Sequence, residues 1–170
     1  MQSYDPYELM ITPPNKKGEM IIDEIQKEDK ANLNLVRDLI TLGANLDWQD
    51  NYGLATLHWC AMWNHSRIAK ILIDAGADVN IQDNIGRTAL HLCAVNNHSE
   101  IARMLIDAGA DVNIQDNIGR TALHMCASYN RSEILGLLID AGADKTIPNN
   151  YGKRPYELAE SKELKELLYP

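Results

Sequence analysis

Apolar residues in this chain recur at helical spacing inside short blocks, and the blocks themselves recur. Ile101, Met104 and Leu105 fall on one helix face, as do Ile134, Leu137 and Leu138. Thr88 and Thr121 stand just before short apolar runs, where a helix N-cap belongs. His91 and His124, three residues further on, are placed to reach back to those caps in the manner of a capping box. Gly76, Gly109 and Gly142 follow the second apolar block of each unit, where a left-handed residue ends a helix. Asn64, Asn97 and Asn130 lie between the two blocks, and Asn is among the residues best able to take positive φ. The pattern predicts a unit made of a hairpin-like turn, an inner helix, a short turn and an outer helix.

The period of the pattern is 33 residues: Leu72 to His91 reads LIDAGADVNIQDNIGRTALH, and Leu105 to His124 repeats it letter for letter. The same offset links Asp50, Asp83 and Asp116, with Asn149 next in line, and Gly53, Gly86, Gly119 and Gly152. The unit D-N-x-G-R-T-A-L-H-x-C-A followed by L-I-D-A-G-A-D-V-N resembles the ankyrin repeat, with Ala where that family often has Pro. The resemblance implies an all-α solenoid of helix-turn-helix units joined by β-hairpin-like turns. Three full units fall at 50–82, 83–115 and 116–148. Residues 17–49 read as an N-terminal cap: LVRDLITLGANLDWQD keeps the pattern, and the charged stretch before it suits a surface facing water. Residues 149–170 read as a C-terminal cap that begins a fourth unit and stops after one inner helix, YELAESKELKELL. Residues 1–16 have no repeat counterpart and are expected to form a flexible tail, set apart by Pro13 and Pro14, in which Asp5-Pro6 could start a single helical turn. The first unit departs from its neighbours with Leu54-Ala55-Thr56 in place of Arg-Thr-Ala, and the last carries Arg154 at the cap position. Ala at a cap costs about 1 kcal/mol.

Composition adds the compartment and narrows the partner. The chain is 45% hydrophobic and 24% charged, as an ordinary globular domain is. It offers no apolar run long enough to cross a bilayer, and its N-terminus lacks the basic and apolar regions of a secretory signal. A cytoplasmic location is expected, or the cytoplasm of a host cell into which the protein is delivered. A net charge of -8 argues against binding to nucleic acid, and without a long apolar run no membrane partner is expected either. It is compatible with a basic protein partner, although a charge that only keeps the protein soluble is the plainer reading.

Three cysteines and five histidines invite a metal or nucleophile reading, and the repeat dissolves it. Cys60, Cys93 and Cys126 are one position in three successive inner helices. Stacked helices lie about 8–10 Å apart, too far for a disulfide or a shared zinc. They read as small buried residues. His58, His91 and His124 occupy the T-x-L-H position, where they tie turn to helix, while His65 and His98 share a position with Arg131. Asp78, Asp111 and Asp144 recur likewise, and no phosphate-cradling glycine motif occurs. No catalytic site, metal or cofactor is expected.

The resemblance also implies where a partner sits: the concave face formed by turn tips and the exposed edge of the inner helices. That edge holds Met62 and Trp63, Val95 and Asn96, and Ser128 and Tyr129. The tips hold a row of Tyr52, Ile85, Ile118 and Tyr151, beside a second row of Leu54, Arg87, Arg120 and Lys153. Aromatic and arginine residues on one exposed patch are what binding hot spots use. The competing structural reading packs the Tyr and Ile side chains on neighbouring turns and pairs the arginines with Asp83 and Asp116. Trp59, Leu92 and Met125 are expected to face the core. The function expected is a non-catalytic adaptor or inhibitor, monomeric alone, that binds another protein. Alternatives are an immunity-type antagonist covering a toxin or enzyme, and a self-associating scaffold. Asn80 and Asn113 also resemble the asparagines hydroxylated in many ankyrin repeats.

Overall fold

The computed structural model describes residues 5–27 and 31–169. They form eleven helices and, among the described residues, no strand. Helices α2 (Pro14–Ile25), α4 (Thr56–Trp63), α6 (Ala89–Asn96), α8 (Ala122–Tyr129) and α10 (Pro155–Leu158) stack side by side as an inner layer. Helices α3 (Leu33–Thr41), α5 (Ser66–Asp74), α7 (Ser99–Asp107) and α9 (Ser132–Asp140) stack behind them as an outer layer. Two short helices, α1 (Pro6–Ile11) and α11 (Lys162–Leu168), flank the stack in sequence.

Each unit closes as its residues require. Asn64, Asn97 and Asn130 end the inner helices with φ of 60°, 65° and 56°, the left-handed turn that lets the outer helix fold back. Between the layers runs one core that contains Leu57, Leu90 and Leu123 of the inner helices together with Leu72, Leu105 and Leu138 of the outer ones. Cys60, Cys93 and Cys126 lie within it, free and buried. Burial pushes the Cys126 thiol up to about 12 and the other two higher still, so they serve as packing. Leu92 and Met125 are buried as expected, whereas Trp59, on the inner helix that meets the cap, is half-buried.

The ends of the stack differ from the sequence reading. The boundary expected between residues 16 and 17 falls inside α2, because Pro14 opens that helix at a position where proline costs no hydrogen bond. The cap is not uniformly solvated either. Lys17 is buried with Nζ donating to the Leu42 carbonyl at 2.7 Å, and buried Glu24 accepts from the Asn32 N–H at 2.9 Å. In the expected flexible tail, Asp5 caps α1 by accepting from the Tyr7 N–H at 2.9 Å, and Leu9 is seated in the core. Residues 1–4 of that tail lie outside the described residues. At the other end the segment read as one inner helix is two: Ala159 is extended, and Ser161 starts α11 by accepting from the Leu164 N–H at 3.1 Å.

Candidate partner-binding face

The tips are built from one acceptor each. In the second unit Asp83 Oδ1 accepts from the N–H groups of Ile85 (3.0 Å) and Arg87 (2.8 Å), while Arg87 Nε and Nη2 both reach Oδ2 at 2.8 Å. Asp116 repeats this with Ile118 and Arg120. Asp50 and Asn149 hold the first and last tips through the same two backbone bonds. The chain is thereby turned so tightly that the side chain at the apex, Tyr52, Ile85, Ile118 or Tyr151, is left outside.

Each tip is then locked to the next. The Asn117 N–H donates to the Ile85 carbonyl at 3.0 Å and its Nδ2 to the Asn84 carbonyl at 3.1 Å. Gln82 Nε2 bridges the Gly86 and Gln115 carbonyls at 2.7 and 3.1 Å. The same bonds recur one unit before and one unit after. Nothing in the pattern of single repeats singles out these Asn and Gln residues. Their partners lie 33 residues away, and only the stacking brings them together.

A second lock lies beneath the tips. His91 Nδ1 accepts from the Thr88 N–H at 3.2 Å, so Nε2 carries the proton and donates to the Arg120 carbonyl of the following unit at 3.0 Å. His58 and His124 do the same toward the Arg87 and Lys153 carbonyls. Burial lowers the pKa of all three, a shift opposed by that carbonyl bond. The histidines expected to tie turn to helix therefore also tie unit to unit.

The site residues expected from sequence separate into three groups. Tyr52 and Tyr151 are 74% and 75% exposed, and Ile85, Ile118, Trp63 and Tyr129 are exposed between them. Asn96, Ser128 and Lys153 are exposed as well, with Lys153 Nζ 3.5 Å from Glu157. Arg87 and Arg120 are partly buried and committed to their aspartates, while Met62 and Val95 are half-buried against the core. Leu54 is a correction: it is 6% exposed and belongs to the core, because an apolar side chain at that column turns inward where arginine lies across the tip. Asn80 and Asn113 are scaffold residues whose Oδ1 atoms accept from the Asp111 and Asp144 N–H groups at 2.8 Å.

Residues 26–116 and 75–149 match the family model described as ankyrin repeats (3 copies). No curated protein gives a significant match to the chain.

Proposed function

Because the chain belongs to the ankyrin-repeat family, whose repeats are generally protein–protein interaction modules, we propose that it is a non-catalytic binding protein that grips its partner on the tip face. The observation that carries this is the row Tyr52, Ile85, Ile118 and Tyr151. Four large apolar side chains stand exposed on tips that hydrogen bonds hold in register, with Trp63 and Tyr129 exposed on the neighbouring inner helices. A rigid apolar surface of this kind binds without ordering its own backbone, which saves the entropy that a loop would lose. On the two middle tips the acidic residues are neutralised within the chain, Asp83 by Arg87 and Asp116 by Arg120. The face therefore suits an apolar segment more than a uniformly basic one. No described helix is long and apolar enough to cross a membrane. Three buried free thiols fit work in a reducing cytoplasm. The proposed role is that of an adaptor or inhibitor, monomeric on its own.

The test replaces Tyr52, Trp63, Tyr129 and Tyr151 with Ala singly and compares partner capture with that of the parent protein. Each substitution should move stability by no more than about 0.5 kcal/mol. At least one should weaken binding by about 2 kcal/mol, the size of a hot spot. Leu90→Ala, at a 1% exposed core position, serves as the contrast and should cost roughly 2–5 kcal/mol of stability. Undiminished capture by all four surface variants moves the interface off this face.

A further inference from the structure

The first tip lacks one part that the next two contain. Asp83 and Asp116 use Oδ1 for two backbone N–H groups and Oδ2 for a guanidinium. Asp50 Oδ1 accepts from the Tyr52 and Leu54 N–H groups at 2.8 and 2.9 Å, which is the same turn. Where Arg87 and Arg120 would correspond, however, stands Leu54, and its side chain is buried in the core. Among the described residues no cationic side chain pairs with Asp50 Oδ2. Asp50 is partly exposed, and Tyr52 beside it is exposed.

We infer that Asp50 is the receiving site for an arginine side chain of the bound partner, whose guanidinium takes the place that Arg87 and Arg120 take on their own tips. The inference rests on the tip face being the interface. The chemistry is displayed twice in the same molecule: Nε and Nη2 of one guanidinium converge on one carboxylate oxygen, a fork that a lysine ammonium cannot reproduce. The Tyr52 ring supplies an aromatic face against which a guanidinium is attracted. The opposite end of the row differs. Asn149 holds the last tip without a charge, Lys153 and Arg154 stand exposed, and Glu157 lies 3.5 Å from Lys153 Nζ while accepting from the Arg154 backbone N–H at 2.8 Å. Among the described residues the tips thus run from an unpaired carboxylate at the first, through two internally paired Asp–Arg tips, to an uncharged Asn at the last, whose Lys153 pairs with Glu157. A bound segment is oriented by this difference, with its arginine toward Tyr52.

The experiment is an NMR titration of the whole chain with two blocked dipeptides, acetyl-Arg-Ile-amide and acetyl-citrulline-Ile-amide, which share a shape and differ in charge. The arginine probe should move the Tyr52 and Leu54 amide signals and bind at least about ten-fold more tightly than the citrulline probe. Asp50→Asn should abolish that difference while leaving the fold intact, because Asn149 already holds the same turn. Leu54→Arg should abolish it too, by placing the protein's own guanidinium on Asp50. If that variant does not fold, Asp50→Asn decides alone. Equal binding of the two probes, or an undiminished preference in Asp50→Asn, overturns the inference. That failure is distinct from failure of the tip face itself, which is read by partner capture with the four alanine variants. Loss of capture with no arginine preference removes the arginine site and leaves the face standing.

Discussion

A neutral imidazole joins each unit to the next, and this fixes how the protein responds to acid. Protonating His91 would place a hydrogen on Nδ1, directly against the Thr88 N–H that it now accepts from. Burial is the first cause holding His58, His91 and His124 below the ordinary histidine value. The sign follows from where the proton goes. As pH falls through about 6.5 the unfolded chain takes up protons that the folded chain refuses, so stability is lost on acidification and is level above that pH. Each histidine contributes a limiting slope of about 1.4 kcal/mol per pH unit within that window. Urea midpoints should fall steadily between pH 7 and pH 5. The fall should be shallower in a His91→Gln variant, which is less stable at pH 7; a midpoint independent of pH over that range counts against the bridging role. The cap and the histidine that reaches back to it were legible from Thr88 and His91 alone. The second bond was not, because its acceptor lies 29 residues along the chain, and spacing within a unit carries no information about the unit beside it.

At the scale of the element, neighbours bear closely on the middle tips. Gly86 has φ +83°, and a Cβ there would sit 2.5 Å from Asn117 Oδ1 and 2.7 Å from the Asn117 backbone N. Gly152 has φ +71° with nothing within 4 Å. Gly152→Ala therefore meets only the left-handed backbone cost of about 1–2 kcal/mol. Gly86→Ala meets that cost and also pushes the next tip out of register. Urea denaturation should show Gly86→Ala at least twice as destabilising as Gly152→Ala; equal losses mean that the tips are not locked. Membership of a column does not set side-chain direction, so Leu54 shares a column with Arg87 while its apolar side chain leaves the surface. A proline pair marks a helix start as readily as a boundary, and Pro14 is the first residue of a helix. Ser161, a residue type that caps helices, was the available sign that the last segment contains two helices.

For the whole molecule, the inter-unit bonds share one translation. Asn84 to Asn51, Asn117 to Asn84 and Asn150 to Asn117 are the same contact moved by 33 residues. A chain carrying a second copy of residues 83–115 inserted after Gln115 should therefore fold with every such contact satisfied. It should unfold in one transition at a higher urea midpoint and with a steeper dependence on urea, since more surface is buried. A lower midpoint or a split transition would refute this. The period made the architecture the most legible level of all, while the face was legible only in part: Tyr52 and Tyr151 declare themselves, but the pairing of Arg87 and the open oxygen of Asp50 depend on which neighbour each side chain meets. One consequence of the shared translation reaches beyond the folded state. The stretch LIDAGADVNIQDNIGRTALH occurs twice in register, so an exchange between its two copies would add or remove one whole period and never a fraction of one. Each such product keeps the residues that the inter-unit contacts need. The length of the tip row is thus open to change by whole periods, without a new inter-unit contact having to be invented.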